Sequence, residues 1–492
     1  MQDSDNHYSL TTRFSNVKYG ADNKIFGVLN LEIKNQVDHS PNPQHFILTV
    51  DRSGSMSNRE KDGMTKMQHV IHTISNMMRY FAYDLDKATI YISVITFDNR
   101  VECIIDKVLV DKSNIKDLIR IVEEIYPRDM TDIGAAIAAA NKQKAAFSEN
   151  IGQTHILLTD GRPTCGTTDK AQLKKVLDSS YRNILIGYGI DHNMELMKDL
   201  SHHETGGYYF VESAENAGNV YGEILHGVLN EVMANTVIET DDAEIYDWKT
   251  NRWTKTLKIG SLSHGIEKVY HVRTLPDQDD MENILCITLS YTSNNIEKKD
   301  FAPAVAKEFL SQFDISKYIY RQKTLELLFK TNAYIETSDP SIDIVELKKN
   351  ITDLMGLITG EMNTEEELKD TECKNYLFMQ NLRDDLHVAE QSLSSRYGGL
   401  YLGARRVSQG DQRAYNVRNL DGMGTVFSGF NVDLDDADGG AFPLPALGAV
   451  DRTCQAGNYQ MSSADASPYA CINQQYLMRQ CSQEPTCPPT DE

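Results

Sequence analysis

The stretch Phe46-Ile47-Leu48-Thr49-Val50-Asp51-Arg52-Ser53-Gly54-Ser55 decides how this chain is read. Its first half is a short apolar run, as in a strand buried on both faces of a parallel sheet. Its second half puts a carboxylate and two hydroxyls at the carboxyl end of that strand, where open α/β sheets bind ligands. These are hard oxygen donors, suited to Mg²⁺, Mn²⁺ or Ca²⁺ rather than to zinc.

The pattern around the run supports a parallel sheet. From about 45 to 235 strands and helices alternate. Strands are expected at 45–50, 89–97, 155–159, 183–188 and 208–211. Asp98-Asn99 turns the second of these into a short antiparallel partner at 101–105. Met67, Val70, Ile71, Ile74, Met78 and Phe81 form one helical stripe. Further helices are expected at 113–124, 132–148 and 214–233.

Two more loops fall at the same end of the sheet. Leu157-Leu158-Thr159-Asp160-Gly161-Arg162 closes a strand that should neighbour the first, and Arg128-Asp129-Met130-Thr131-Asp132 precedes a helix. Asp51 and Asp160 together carry the charge that balances a divalent cation, and hydroxyls fill positions without adding charge. The simpler alternative is that the serines and Thr131 cap helices and the aspartates only end strands.

These residues resemble the von Willebrand factor A (VWA) domain, whose metal-ion-dependent adhesion site (MIDAS) has the form D-x-S-x-S, then T, then D. The resemblance covers about 44–235, and Asp51, Ser53, Ser55, Thr131 and Asp160 fill all five positions. It implies a Rossmann-like, doubly wound α/β domain. It also implies that Ser53 and Ser55 bind the ion directly, the aspartates largely through water, and Thr131 when ligand is bound. That ligand is typically a Glu or Asp of a partner protein.

Outside this unit the organisation is less specific. Residues 1–43 and 236–300 read as β segments, joined into one sandwich with the 44–235 unit inserted between them. Residues 301–398 have helical periodicity, with Thr364-Glu365-Glu366-Glu367 as a capping box. Residues 399–492 read as a mostly disordered tail. The arrangement resembles intracellular VWA proteins of protists and of the large DNA viruses that infect them. Plant proteins pairing an A domain with a RING finger are similar, but the Cys/His pairs of a RING are absent here.

Composition narrows the function. The 492 residues carry a net charge of −22, which argues against wide contact with nucleic acid or anionic membranes. No run of about 18 apolar residues suggests a membrane span. No secretory signal is visible, and eight thinly spread cysteines fit free thiols in a reducing compartment. An intracellular, cytoplasmic protein is expected; for a viral protein, that means host cytoplasm or the virion.

Several weaker signals are set aside. Gly187-Tyr188-Gly189 lacks the third glycine of a dinucleotide fingerprint. His202-His203-Glu204 reads as a polar loop, and His69 and His72 as a solvated helix face. The acidic run 433–439 fails as an EF-hand, with Ala437 and Leu444 at ligand positions. Arg405-Arg406-Val407-Ser408 resembles a kinase site in a flexible segment. No Ser-His-Asp order, P-loop or H-E-x-x-H occurs. The expectation is therefore a non-enzymatic, metal-dependent protein-interaction protein in a multi-protein complex. Alternatives are a metal-assisted hydrolase, a structural subunit with a non-ligating A domain, and RNA-associated function, which the acidity disfavours.

Overall fold

The structure is a computed structural model. It describes residues 7–482 except 21–23, 35–41, 61–62, 86–87, 129, 145–150, 179, 190–191, 202–206, 212–216, 275–284, 294–295, 307–311, 338, 365–373, 395–397 and 416–466. The 433–439 run and the His202-His203-Glu204 loop lie outside the described residues.

Two strands open the chain, β1 (Tyr8–Tyr19) and β2 (Lys24–Ile33). The α/β unit then comprises β3 (Gln44–Asp51), α1 (Lys66–Tyr83), β4 (Ile90–Phe97), β5 (Val101–Leu109), α2 (Ile115–Glu123), α3 (Ile133–Lys144), β6 (Gly152–Thr159), α4 (Lys170–Val176), β7 (Arg182–Tyr188), α5 (Met194–Leu200), β8 (Gly207–Val211) and α6 (Ala217–Leu229). Its six-stranded sheet has the order β5-β4-β3-β6-β7-β8, parallel except for β5. This is the doubly wound order, and the direction of winding reverses between β3 and β6. β3 is hydrophobic on both faces because helices cover both: Phe46, Ile47, Leu48 and Val50 are all buried. The α1 stripe Met67, Val70, Ile74, Met78 and Phe81 packs in the same core.

The flanking strands make a second sheet. After α6 come β9 (Glu231–Thr240), β10 (Ala243–Asp247), β11 (Arg252–Thr254), β12 (Thr256–Ser263), β13 (Glu267–Thr274), β14 (Leu285–Ser293) and β15 (Ile296–Ala306). With β1 and β2 they form nine strands in the order β11-β10-β13-β2-β1-β15-β14-β9-β12. Leu10, Leu31 and Val272 from one half of this sheet share a core with Ile238, Leu257 and Ile287 from the other. The sheet thus folds on itself as a sandwich, and the α/β unit is inserted between β2 and β9. The strands reach Ala306, beyond the expected 300, because β15 pairs with both β14 and β1.

Helices α7 (Gln312–Thr337), α8 (Ile344–Thr364), α9 (Lys374–Ser392) and α10 (Gly398–Asp411) follow, then α11 (Ile472–Ser482). Three expectations change here. The expected capping box cannot be followed past Thr364, which ends α8 with its hydroxyl donating to the Gly360 carbonyl, because Glu365 to Glu367 lie outside the described residues. A capping box forms at the start of α1, between Thr65 and Gln68. Residues read as a disordered tail include α10 and α11, and Ser408 is buried with its hydroxyl bonded to the Tyr415 carbonyl. His69, read as solvated, is buried.

α11 packs on α1 and α6. Asn76 donates to the Cys481 carbonyl at 3.2 Å. Gly222 permits the approach, since a Cβ there would lie 2.4 Å from Met478 Cα.

Three buried histidines make the fold sensitive to acid. Burial pushes His45, His155 and His226 down from 6.5 to about 4. Burial holds His155 neutral against the opposing pull of Asn183, whose Oδ1 lies 2.9 Å from one ring nitrogen while the Thr49 hydroxyl lies 2.9 Å from the other. Between pH 6.5 and 4 the unfolded chain takes up protons that the folded chain refuses. Stability is therefore whole above pH 6.5 and lost as pH falls toward 4, by up to roughly 3 kcal/mol per histidine. Melting temperature measured across this range should fall steeply for wild type and less steeply for His155→Gln; identical slopes would contradict the assignment.

Candidate metal centre

Register places the donors. β3 and β6 pair in parallel with Val50 beside Leu158. Asp51 therefore comes level with Thr159, whose hydroxyl donates to Asp51 Oδ2 at 2.5 Å. The other oxygen, Oδ1, accepts from the Ser53 amide at 2.8 Å. Asp51 is fully buried, and burial pushes its carboxyl up to about 6 against the pull of these hydrogen bonds.

The chain then turns through one short 3₁₀ segment, Gly54–Ser57. Ser53 stands at its cap position, yet its side chain makes no capping hydrogen bond. Ser53 Oγ lies 3.1 Å from Ser55 Oγ, and Ser55 Oγ donates to Asp160 Oδ1 at 2.6 Å. The third loop behaves likewise. Asp132, rather than Thr131, caps α3 by accepting from the Ala135 amide at 2.9 Å. The Thr131 hydroxyl makes no hydrogen bond to a described residue, and a Cβ on Gly161 would lie 3.6 Å from it and 4.0 Å from Ser55 Oγ. The capping alternative therefore fails for both Ser53 and Thr131.

The loops are tied to one another. The Arg128 amide donates to the Arg52 carbonyl, the Asp132 amide to the Asp98 carbonyl, and the Thr164 amide to the Thr131 carbonyl at 3.0 Å. Arg52 is buried, with Nε 2.9 Å from Asp98 and Nη1 3.1 Å from Glu102. It is a strut beneath the loops. Arg162 is exposed beside Gly161, and the rim also carries exposed Tyr126 and Met130. The Arg128 guanidinium stacks over the Tyr126 ring at 4.8 Å.

One charged neighbour escaped the sequence reading. Lys66, first residue of α1, is buried with its ammonium 2.8 Å from Asp160 Oδ2. A faint signal was present: a lysine in the first turn of a helix opposes the helix dipole, a cost that a nearby carboxylate offsets. Nothing in the sequence indicated that the partner lay 94 residues away.

All the oxygens here are carboxylate or hydroxyl, and the donor set suits a hard divalent ion. Among the described residues no group of three His, Cys, Asp or Glu side chains comes together to hold a metal, here or elsewhere; this site offers two carboxylates, and its other donors are hydroxyls.

A family model described as the von Willebrand factor type A domain matches residues 46–223. This segment of the chain is a VWA domain. The family often mediates metal-dependent protein interactions, and its members commonly hold a divalent ion at MIDAS. Among solved structures, a von Willebrand factor type A protein from Catenulispora acidiphila is 12% identical with a TM-score of 0.50, covering 77% of this chain and 89% of that one. The ArnB paralog VWA2 from Sulfolobus acidocaldarius is 14% identical with a TM-score of 0.45, covering 83% of this chain and 100% of its own. Proximal thread matrix protein 1 of mussel byssus, with a zinc-occupied MIDAS motif, is 16% identical with a TM-score of 0.31, covering 38% and 46%. The first likeness is one of fold. No curated protein matches the chain.

The Arg52 strut has a measurable consequence. Removing one partner of a buried pair leaves the other charge stranded, at a cost of about 3–5 kcal/mol. Urea unfolding of Arg52→Ala should show a loss of that size; a loss below about 1 kcal/mol, typical of exposed pairs, would contradict the buried role.

Proposed function

We propose that this chain binds a partner protein through a divalent cation held in its VWA domain. Asp51, Ser53, Ser55, Thr131 and Asp160 would hold the ion as a MIDAS, with Mg²⁺, Mn²⁺ or Ca²⁺ as candidates. The observation that carries this reading is the pair of hydroxyls, Ser53 and Thr131, left out of the capping roles their positions offer. The ion would supply an electrophilic centre for a Glu or Asp of the partner. One such contact anchors an interface whose rim sets affinity. Exposed Tyr126, Met130 and Arg162 fit a partner segment with apolar neighbours around its acid.

Two observations favour binding over hydrolysis. His155 has both ring nitrogens engaged, by Thr49 and Asn183, and His192 has its own engaged by the Gly189 carbonyl and the Tyr208 hydroxyl. Neither is available as a general base at the ion. No described helix is long and apolar enough to cross a membrane. Cys103, Cys165, Cys286, Cys471 and Cys481 are free, which fits an intracellular setting.

The test is affinity capture with wild type and with Asp51→Ala/Ser53→Ala, each in Mg²⁺ and in EDTA. The account expects a partner retained only by wild type in Mg²⁺. Retention of the same partner by the mutant or in EDTA would overturn it. Arg162→Glu should weaken capture of that partner by about tenfold if an acid-rich segment docks at this rim; unchanged capture would remove Arg162 from the interface.

A further inference from the structure

We infer that Lys66 is a tethered cation that competes with the metal for Asp160 and makes the loaded site demand an outside carboxylate. The inference rests on the metal-site reading above and concerns its regulation. Asp160 is shared: Oδ1 takes the Ser55 hydroxyl at 2.6 Å, and Oδ2 takes the Lys66 ammonium at 2.8 Å. Lys66 is 6% exposed and Asp160 1%, so little water lies between the ammonium and the donor set to screen its charge. The backbone makes room for it. Gly189, at φ +67°, would with a Cβ come 3.3 Å from Nζ.

The charge balance then differs from that of two bare carboxylates. Among the described residues, Lys66 is the only cation ion-paired with either Asp51 or Asp160. Arg52 is neutralised by Asp98 and Glu102. With Lys66 present the metal-free site has a formal charge of −1 rather than −2. A divalent ion would bring it to +1 rather than to neutrality. The ion is held less tightly for this, and an incoming carboxylate gains more. Metal and acid therefore strengthen one another's binding, and the coupling is reciprocal.

A different role would have the opposite sign. If Lys66 served chiefly to orient Asp160, it would be a positioning residue, and its loss would weaken metal binding by about 10–100-fold. Lys66→Gln separates the two, because it keeps an amide donor and removes the charge. Lys66→Met removes both and fills the same space.

The experiment is calorimetric titration of Mn²⁺ into the full chain, as wild type, Lys66→Gln and Lys66→Met, with circular dichroism as the check on folding. Each titration is run in sodium acetate and in sodium chloride of equal ionic strength. The inference expects Lys66→Gln to bind Mn²⁺ about tenfold tighter or more. It also expects acetate to tighten Mn²⁺ binding to wild type and to do so less for the variant. Mn²⁺ binding by Lys66→Gln but not by wild type also supports it. Equal or weaker binding by Lys66→Gln would overturn it. If that variant does not fold, Lys66→Met and the acetate dependence of wild type decide in the same way. If neither wild type nor a folded variant takes up Mn²⁺, the metal-site reading itself falls, and this inference with it.

Discussion

The site depends on the parallel pairing of β3 with β6 at the point where the sheet changes its direction of winding. In that register Leu48 lies beside Ile156 and Val50 beside Leu158, so Asp51 and Asp160 leave the sheet together at its carboxyl edge. A slip of one residue would reverse the facing of every side chain on the shifted strand. The buried runs on both strands oppose such a slip. Core packing and site geometry are therefore one constraint: the apolar residues that bury β3 also aim its terminal carboxylate.

Charge is the second constraint. Asp51, Asp98 and Asp160 are all buried, and buried charges persist only when paired or hydrogen-bonded. Each is answered differently. Asp98 has a permanent cation in Arg52, Asp51 has hydrogen bonds from Thr159 and Ser53, and Asp160 has Lys66 on one oxygen and a serine on the other. Arg52 and Lys66 are both basic and both close to the D-x-S-x-S loop, but they serve different carboxylates. One ties loops together beneath the site, and the other touches a donor of the site itself.

How far the sequence could be read follows from the range of each interaction. The doubly wound α/β unit was legible because hydrophobic runs and a helical stripe are local patterns. The D-x-S-x-S loop was legible because its spacing is local too. The roles of Lys66 and Arg52 were not legible because their partners, Asp160 and Asp98, are distant in sequence and meet them only after folding. The end of β15 beyond residue 300 was missed because Ile296–Ala306 gains its place by pairing with β14 and β1, not from its own composition. The same holds for α11. Its sequence is polar and short, and it is held by the close approach that Gly222 allows against α6. Ser408 had the local look of a modification site, but Arg405 beside it is buried against Asp385. A short motif shows residue types, and burial decides whether they are available.

The central claim is that one divalent ion sits among oxygen donors from three loops above β3 and β6. Anomalous diffraction from crystals grown with Mn²⁺ tests it most directly. The account predicts a single strong manganese peak in this region, with Ser53 Oγ and Ser55 Oγ at bonding distance and Asp51 and Asp160 close behind. A well-ordered site with no manganese peak, or a peak held by other residues, would contradict it.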